Sequence, residues 1–192
     1  MLTKNIIFKN FKLKKNYKKI KSDLKLLLNE ENTIIKSLSP KYKYNYNKKI
    51  ISRLKKYFNI RVLGMGGSIL GTEAIYDFLR HKTKKKFSFI NNLQSNLKLN
   101  KNKNKYLNLI VSKSGNTLET ISNVNIIIKK KDKNIFITEN KNSYLFLLAQ
   151  KIKAEIIHHN NFIGGRFSVL SEVGMLPAEL MNLNEKKFKQ MN

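Results

Sequence analysis

The sequence predicts an α/β fold in which a parallel sheet is covered by helices on both faces. Two observations carry that expectation: five short apolar runs rich in β-branched residues, and helical patterns lying between them. The runs are IRVLG from Ile60, KFSFI from Lys86, LNLIVS from Leu107, NIFIT from Asn134 and EIIHH from Glu155. Each is short, largely apolar and bounded by polar or glycine residues, as strands buried between helical layers are. The helical patterns are GTEAIYDFLRHK from Gly71, TLETISNVNIIIKK from Thr117 and SYLFLLAQKIK from Ser143. The expected architecture is a three-layer αβα sandwich with a five-stranded parallel sheet in the flavodoxin-like order 2-1-3-4-5. The asparagine- and lysine-rich NLQSNLKLNKNKNK, after the second run, reads as an exposed connection.

Residues 1–58 form a helical arm ahead of that domain. DLKLLLNEENTIIKSL carries apolar residues at helical spacing, Pro40 ends it, and KKIISRLKKYF resumes the pattern. The α/β domain is expected over residues 59–183, and residues 184–192 begin a connection to a further segment.

The formal charge of +27 raises the question of a nucleic-acid or membrane partner. Arginine, which suits bidentate phosphate and guanine contacts, is confined to Arg53, Arg61, Arg80 and Arg166, so the excess is almost all lysine. The lysines are dispersed among abundant Asn and Ile. A coding gene rich in A and T would account for that mixture, and an ordinary base composition would refute the idea. A solvated basic surface is expected, with neither a nucleic acid nor a membrane as partner. No stretch approaches the roughly 20 apolar residues of a membrane span. The N-terminus lacks the pattern of a signal peptide. The chain has no cysteine, hence no disulfide and no thiolate metal site. A soluble, cytoplasmic protein fits these features.

Function is expected where two glycine- and hydroxyl-rich turns follow the first and third strands: GMGGS, Gly64 to Ser68, and SKSGNT, Ser112 to Thr117. In a doubly wound sheet these turns share the crevice where strand order reverses. Both open a helix, whose first turn offers unpaired N–H groups and the positive end of the helix dipole to an anion. The spacing excludes two nucleotide motifs. A dinucleotide fingerprint needs a third glycine where Ile69 stands, and a P-loop needs a lysine where Thr72 stands. A phosphosugar cradle needs neither. Three hydroxyls within six positions exceed what a helix cap requires, whereas Glu119 is explained as a first-turn acid favoured by the helix dipole.

Ser112, Ser114, Gly115 and Thr117 match the S-x-S-G-x-T loop of the sugar isomerase domain family, which this sequence resembles. Within it the chain is similar to the glucose-6-phosphate isomerase family through GMGGSILG, SKSGNTLET and GGRFSVLSEVG, in that order. The resemblance spans about Ile60 to Leu183. It implies that Ser112, Ser114 and Thr117, with the backbone around Lys113, hold a sugar phosphate. Gly67 and Ser68 would contact substrate, and Arg166 would stabilise the enediol intermediate. The implied reaction interconverts glucose 6-phosphate and fructose 6-phosphate without metal or organic cofactor, in an enzyme that is commonly a homodimer. Arg166 also follows two glycines, which leaves it free to reach a crevice where a fixed cation lowers the energy of a developing oxyanion. Glu172 departs from the signature, which has a small residue or proline there. The family's catalytic glutamate, ring-opening histidine and C-terminal lysine lie well beyond the arginine signature, so the chain is expected to be an N-terminal part. His158 and His159 are expected to be structural. The alternative reading is a non-catalytic phosphosugar-binding regulator.

Overall fold

The computed structural model describes residues 18–30, 32–93, 105–129 and 132–190. Five strands form one sheet: β1 (Asn59–Leu63), β2 (Lys86–Ile90), β3 (Tyr106–Val111), β4 (Lys133–Thr138) and β5 (Glu155–His158). Every pairing is parallel and the order is β2-β1-β3-β4-β5, as expected. Most of the NLQSNLKLNKNKNK connection lies outside the described residues, as does the chain before Lys18.

Alternation along the strands builds two cores. Ile60 and Val62 of β1 and Leu107, Leu109 and Val111 of β3 face one side, where they meet Ile51, Ile75 and Leu176. Leu63, Ile110 and Phe136 face the other, where Val124, Ile127, Leu145 and Ala149 cover them. The first face is covered by α3 (Lys48–Leu54), α4 (Leu70–Leu79) and α7 (Glu172–Leu180), the second by α5 (Leu118–Ile127) and α6 (Tyr144–Lys151). Both sheet faces are therefore dry, which is why the strands read as continuous apolar runs. The buried polar exceptions on neighbouring strands answer each other. Asn108 Nδ2 donates to Asn134 Oδ1 at 2.8 Å, and Asn134 Nδ2 donates to the Lys129 carbonyl at 3.0 Å.

The arm differs from the single helical run expected up to Pro40. Among its described residues that run holds two helices, α1 (Lys18–Asn29) and α2 (Thr33–Leu38), the second started by the Asn32 side chain, which accepts from the Ile34 N–H. Between α2 and α3 the KYKYNYN segment packs on α7. Tyr42 Oη donates to Glu172 at 3.1 and 3.2 Å to its two oxygens, and the Asn45 N–H donates to Glu172 Oε1 at 2.9 Å. Glu172 is fully buried, and these donors explain how a carboxylate stands where the signature has a small residue. Burial, reinforced by the Glu172 charge, pushes the Tyr42 phenol pKa up, so the hydroxyl remains a donor.

Helix α7 has no counterpart among the helical patterns read from the sequence, and its interior Pro177 explains why. Proline lacks the N–H that would bond the Val173 carbonyl one turn back. Thr72 Oγ1, on α4, donates to that carbonyl at 3.1 Å instead. A last helix, α8 (Glu185–Phe188), carries Phe188 back against the first core. Next to it, buried Lys189 donates to the Ser37 carbonyl at 2.8 Å and lies over the rings of Tyr42 and Tyr44 at 4.4 and 4.6 Å.

Candidate functional site

β1 and β3 are neighbours, and their helices leave on opposite faces, so the turns after them share the carboxyl edge of the sheet at the point of reversal. The turn after β3 is held by its own hydroxyls. Ser112 Oγ and Thr117 Oγ1 lie 3.1 Å apart, and the Gly115 N–H donates to Ser112 Oγ at 3.2 Å. Gly115 has φ +68°, and a Cβ there would lie 2.0 Å from Ser143 Oγ, so glycine is required by the left-handed backbone and by the packing of α6. Asn116 Oδ1 accepts from the Tyr144 N–H at 2.9 Å, a second tie to α6. Thr117 occupies the N-cap of α5 but makes no side-chain cap bond. The first N–H groups of α5 are thus left without a helical acceptor or a cap, beside two hydroxyls and the exposed Ser114. Chemically this is a place for an anion.

The turn after β1 bends through Gly66 at φ +53° into a 3₁₀ turn, Gly66–Ser68, ahead of α4. Its other glycines serve close backbone approach. A Cβ on Gly64 would stand 3.0 Å from the Val111 carbonyl oxygen, at the end of β3. One on Gly67 would stand 2.3 Å from the Gly165 carbonyl oxygen, in the loop that carries Arg166. The Ser168 hydroxyl lies 2.9 Å from the Gly67 carbonyl and 2.8 Å from the Gly165 carbonyl, clamping the two backbones together. Gly64–Ser68 therefore lies against the end of β3 on one side and against the arginine loop on the other.

Arg166 is exposed at the mouth of a cavity of about 710 Å³ lined by Gly67, Leu70, Phe78 and Val169. Among the described residues its guanidinium has no hydrogen-bond or ion-pair partner. Two other arginines are engaged: Arg53 grips Glu155 at 2.8 and 2.9 Å, and Arg61 stacks on Tyr106 at 3.5 Å from the ring centre. Ser112 and Thr117 are thus brought together, and so are Gly67 and the Arg166 loop. Among the described residues no hydrogen bond or ion pair joins Arg166 to the Ser112–Thr117 turn. The Lys113 side chain turns away from its own turn, donating to the Asn161 carbonyl at 2.6 Å with Glu139 at 3.7 Å. What Lys113 offers a phosphate is its backbone.

Behind that lysine lies a buried titratable group. His159 is almost wholly buried, with Nδ1 unpartnered among the described residues. Burial, and then the Lys113 charge, lowers its pKa to about 4. Burial alone would raise the Glu139 carboxyl, but the Lys141 hydrogen bond and charge, aided by Lys113 and His159, bring it below the ordinary carboxylate value. Residues that sequence reasoning missed here are Gly165, Ser168 and Thr72, whose work lies between segments distant in the chain. Gly165 and Ser168 both stand in the arginine signature and so carried a signal, whereas nothing in the sequence ties Thr72 to α7. Among the described residues no group of three or more His, Asp or Glu side chains is placed to hold a metal ion. Nor is any of their helices long and apolar enough to cross a membrane.

A doubly wound parallel sheet with a hydroxyl-lined turn at its reversal point and an arginine loop beside it defines a domain of the sugar isomerase fold. The family model for phosphoglucose isomerase matches residues 29–191, and the chain belongs to that family. It is 36% identical over 155 residues to a glucose-6-phosphate isomerase of Methanocaldococcus jannaschii, covering 75% of this chain and 38% of that protein. To the enzyme of the same name in Borreliella afzelii it is 37% identical over 173 residues, covering 77% of this chain and 32% of that one. The chain therefore spans about a third of the length of these relatives. Among solved structures, a hypothetical protein of Thermus thermophilus, TT0462, superposes with a TM-score of 0.66 at 20% identity over 88% of this chain and 44% of its own. The tagatose-6-phosphate ketose/aldose isomerase of Escherichia coli does so with a TM-score of 0.56 at 16% identity, over 81% and 50%. These last two share the fold.

Proposed function

We propose that this chain is the phosphosugar-binding part of an aldose–ketose isomerase that interconverts glucose 6-phosphate and fructose 6-phosphate. The observation that carries the reading is the uncapped N-terminus of α5, flanked by the paired hydroxyls of Ser112 and Thr117 at the point of strand reversal. A phosphate dianion there takes hydrogen bonds from Ser112, Ser114, Thr117 and the N–H groups around Lys113, and gains from the helix dipole. Gly67 and Ser68 meet the sugar. Arg166 offers an unpaired cation to the enediolate that forms when the C2 proton is removed on its way to C1. That proton shift changes no net oxidation state in the molecule and calls for no metal or organic cofactor. Anchoring the remote phosphate positions the reacting carbons and offsets the cost of ordering them. The relatives named as glucose-6-phosphate isomerases support this choice of sugar.

In this reading residues 59–183 are the binding domain, residues 1–58 its arm and residues 184–192 the start of a connection. The base that moves the proton is supplied from outside the chain, and the enzyme works in the cytoplasm as a homodimer. Isothermal titration tests the binding step. Glucose 6-phosphate and fructose 6-phosphate are expected to bind and unphosphorylated glucose not to, with affinity falling as salt rises. Equal heats from glucose and its phosphate would sink the assignment.

A further inference from the structure

The Lys113 side chain leaves the turn it belongs to, although a lysine beside an anion site would ordinarily face the anion. Its carbonyl is pinned to the end of β4, accepting from the Glu139 N–H at 3.2 Å and from the Thr138 hydroxyl at 3.4 Å. The side chain then passes the end of β4, where the Glu139 carboxylate stands 3.7 Å from Nζ, and donates to the Asn161 carbonyl at 2.6 Å. Because β3 and β5 flank β4, the turns after them lie two strand spacings apart, about 10 Å. Only a long side chain spans that gap.

The acceptor sits in a turn that is itself well held. The His159 N–H donates to the Thr138 carbonyl at 2.8 Å, Asn160 Oδ1 accepts from the Phe162 N–H at 3.2 Å, and the Asn160 carbonyl accepts from the N–H of buried Ile163 at 3.1 Å. Gly164, Gly165 and Arg166 follow directly. The far end of this loop is fixed by Ser168, whose hydroxyl meets the carbonyls of Gly67 and Gly165. Segment 161–168 is therefore gripped at both ends, by Lys113 from the turn after β3 and through Ser168 from the turn after β1. Charge keeps the lysine on its path. Glu139, with its side chain 12% exposed, faces both Lys113 and Lys141, the latter at 2.6 Å. His159, whose burial lowers its pKa to about 4, adds no competing cation near neutral pH.

We propose that Lys113 is a positioning residue: its side chain sets the Arg166 loop relative to the phosphate turn, so that a sugar held by its phosphate presents its reacting carbons to the guanidinium. The inference rests on the sugar-phosphate reading and adds to it a role for a side chain that points away from the phosphate. A misplacement of about 1 Å can cost about a hundredfold in rate. Such a link therefore acts on turnover more than on affinity.

Titration of this chain with inorganic phosphate, followed by amide NMR, separates the tether from the reading it rests on. Shifts are expected in residues 112–117 and, through the tether, at Asn161, Gly164 and Gly165; in Lys113→Met the second set should fall to about half or less. No shift in residues 112–117 would sink the phosphate reading and the tether with it. Shifts there that never reach the arginine loop, or that reach it equally in Lys113→Met, overturn the tether and leave the phosphate reading standing. In the complete enzyme Lys113→Met should lower kcat about tenfold with KM changed about threefold or less, and Lys113→Arg, long enough to span the gap, should keep most of the rate. Because the loss runs through Arg166, it should shrink in an Arg166→Lys background. A raised KM with unchanged kcat would make Lys113 a phosphate ligand, and independent losses in the double variant would make it merely structural; either result overturns the proposal. Should Lys113→Met not fold, Glu139→Gln keeps the N–H bond to Lys113 but removes the charge beside Nζ, and kcat should fall about threefold with KM held. An unchanged kcat in that variant overturns the proposal equally.

Discussion

The Thr72 hydroxyl donates to the Val173 carbonyl at 3.1 Å, and that carbonyl is the one Pro177 leaves without a donor inside α7. A side chain on α4 thereby completes the hydrogen bonding of another helix a hundred residues on. Thr72→Val should cost about 1–3 kcal/mol in urea unfolding, the range for a buried acceptor stripped of its donor. Thr72→Ser should retain most of that stability. Because an alanine at 177 would restore the helical N–H, Thr72→Val/Pro177→Ala should recover part of the loss, a coupling that a double-mutant cycle measures.

Gly67 and Gly165 bring the turn after β1 and the arginine loop into backbone contact, with 2.3 Å between a Cβ at 67 and the Gly165 carbonyl oxygen. Backbone on both sides cannot yield without moving the loop. Gly67→Ala is expected to destabilise the chain by about 2–4 kcal/mol and to weaken sugar-phosphate affinity beyond what partial unfolding explains, read by titration well below the unfolding temperature.

In the isomerase reading, Ser114→Ala together with Thr117→Ala should weaken sugar-phosphate binding about a hundredfold or more, as loss of two hydrogen bonds to a charged group implies. Arg166→Lys in the complete enzyme should lower kcat with little change in KM, because the guanidinium serves charge that develops only in the transition state. Unchanged affinity in the first variant, together with unchanged turnover in the second, would remove the assigned site.

The His159 pKa lies near 4, against an ordinary value of about 6.5. Between these two values the unfolded chain binds the proton and the folded chain does not, so stability rises with pH through the window and falls as pH drops from 6.5 towards 4. A His159→Gln variant that still folds should lose this acid-side slope, which amounts to about 3 kcal/mol at most. Parallel pH profiles of denaturant midpoint for the two proteins over pH 4–7 would contradict it.

The sheet was legible because its evidence is local. Runs such as LNLIVS and NIFIT are apolar on both faces, and only a strand between two helical layers has that need. The hydroxyl turn was legible for the same reason, since Ser112, Ser114 and Thr117 lie within six positions at a strand end. What could not be read were features whose cause is distant in sequence. Pro177 looks like a helix breaker until Thr72 is known to face Val173. Glu172 looks misplaced until Tyr42 and Asn45 are known to donate to it.

Residue order by itself determined the five strands, their alternation with helices and the chemistry of the turn after β3, because periodicity and hydroxyl spacing act within a few residues. Only the tertiary structure decided that Gly67 abuts Gly165, that the Lys113 side chain turns from its own turn towards Asn161, and that the Arg166 guanidinium stands beside α4 with no partner among the described residues. Those outcomes depend on which backbones can approach closely and which charges find partners, and such contests are settled only when remote segments pack against one another.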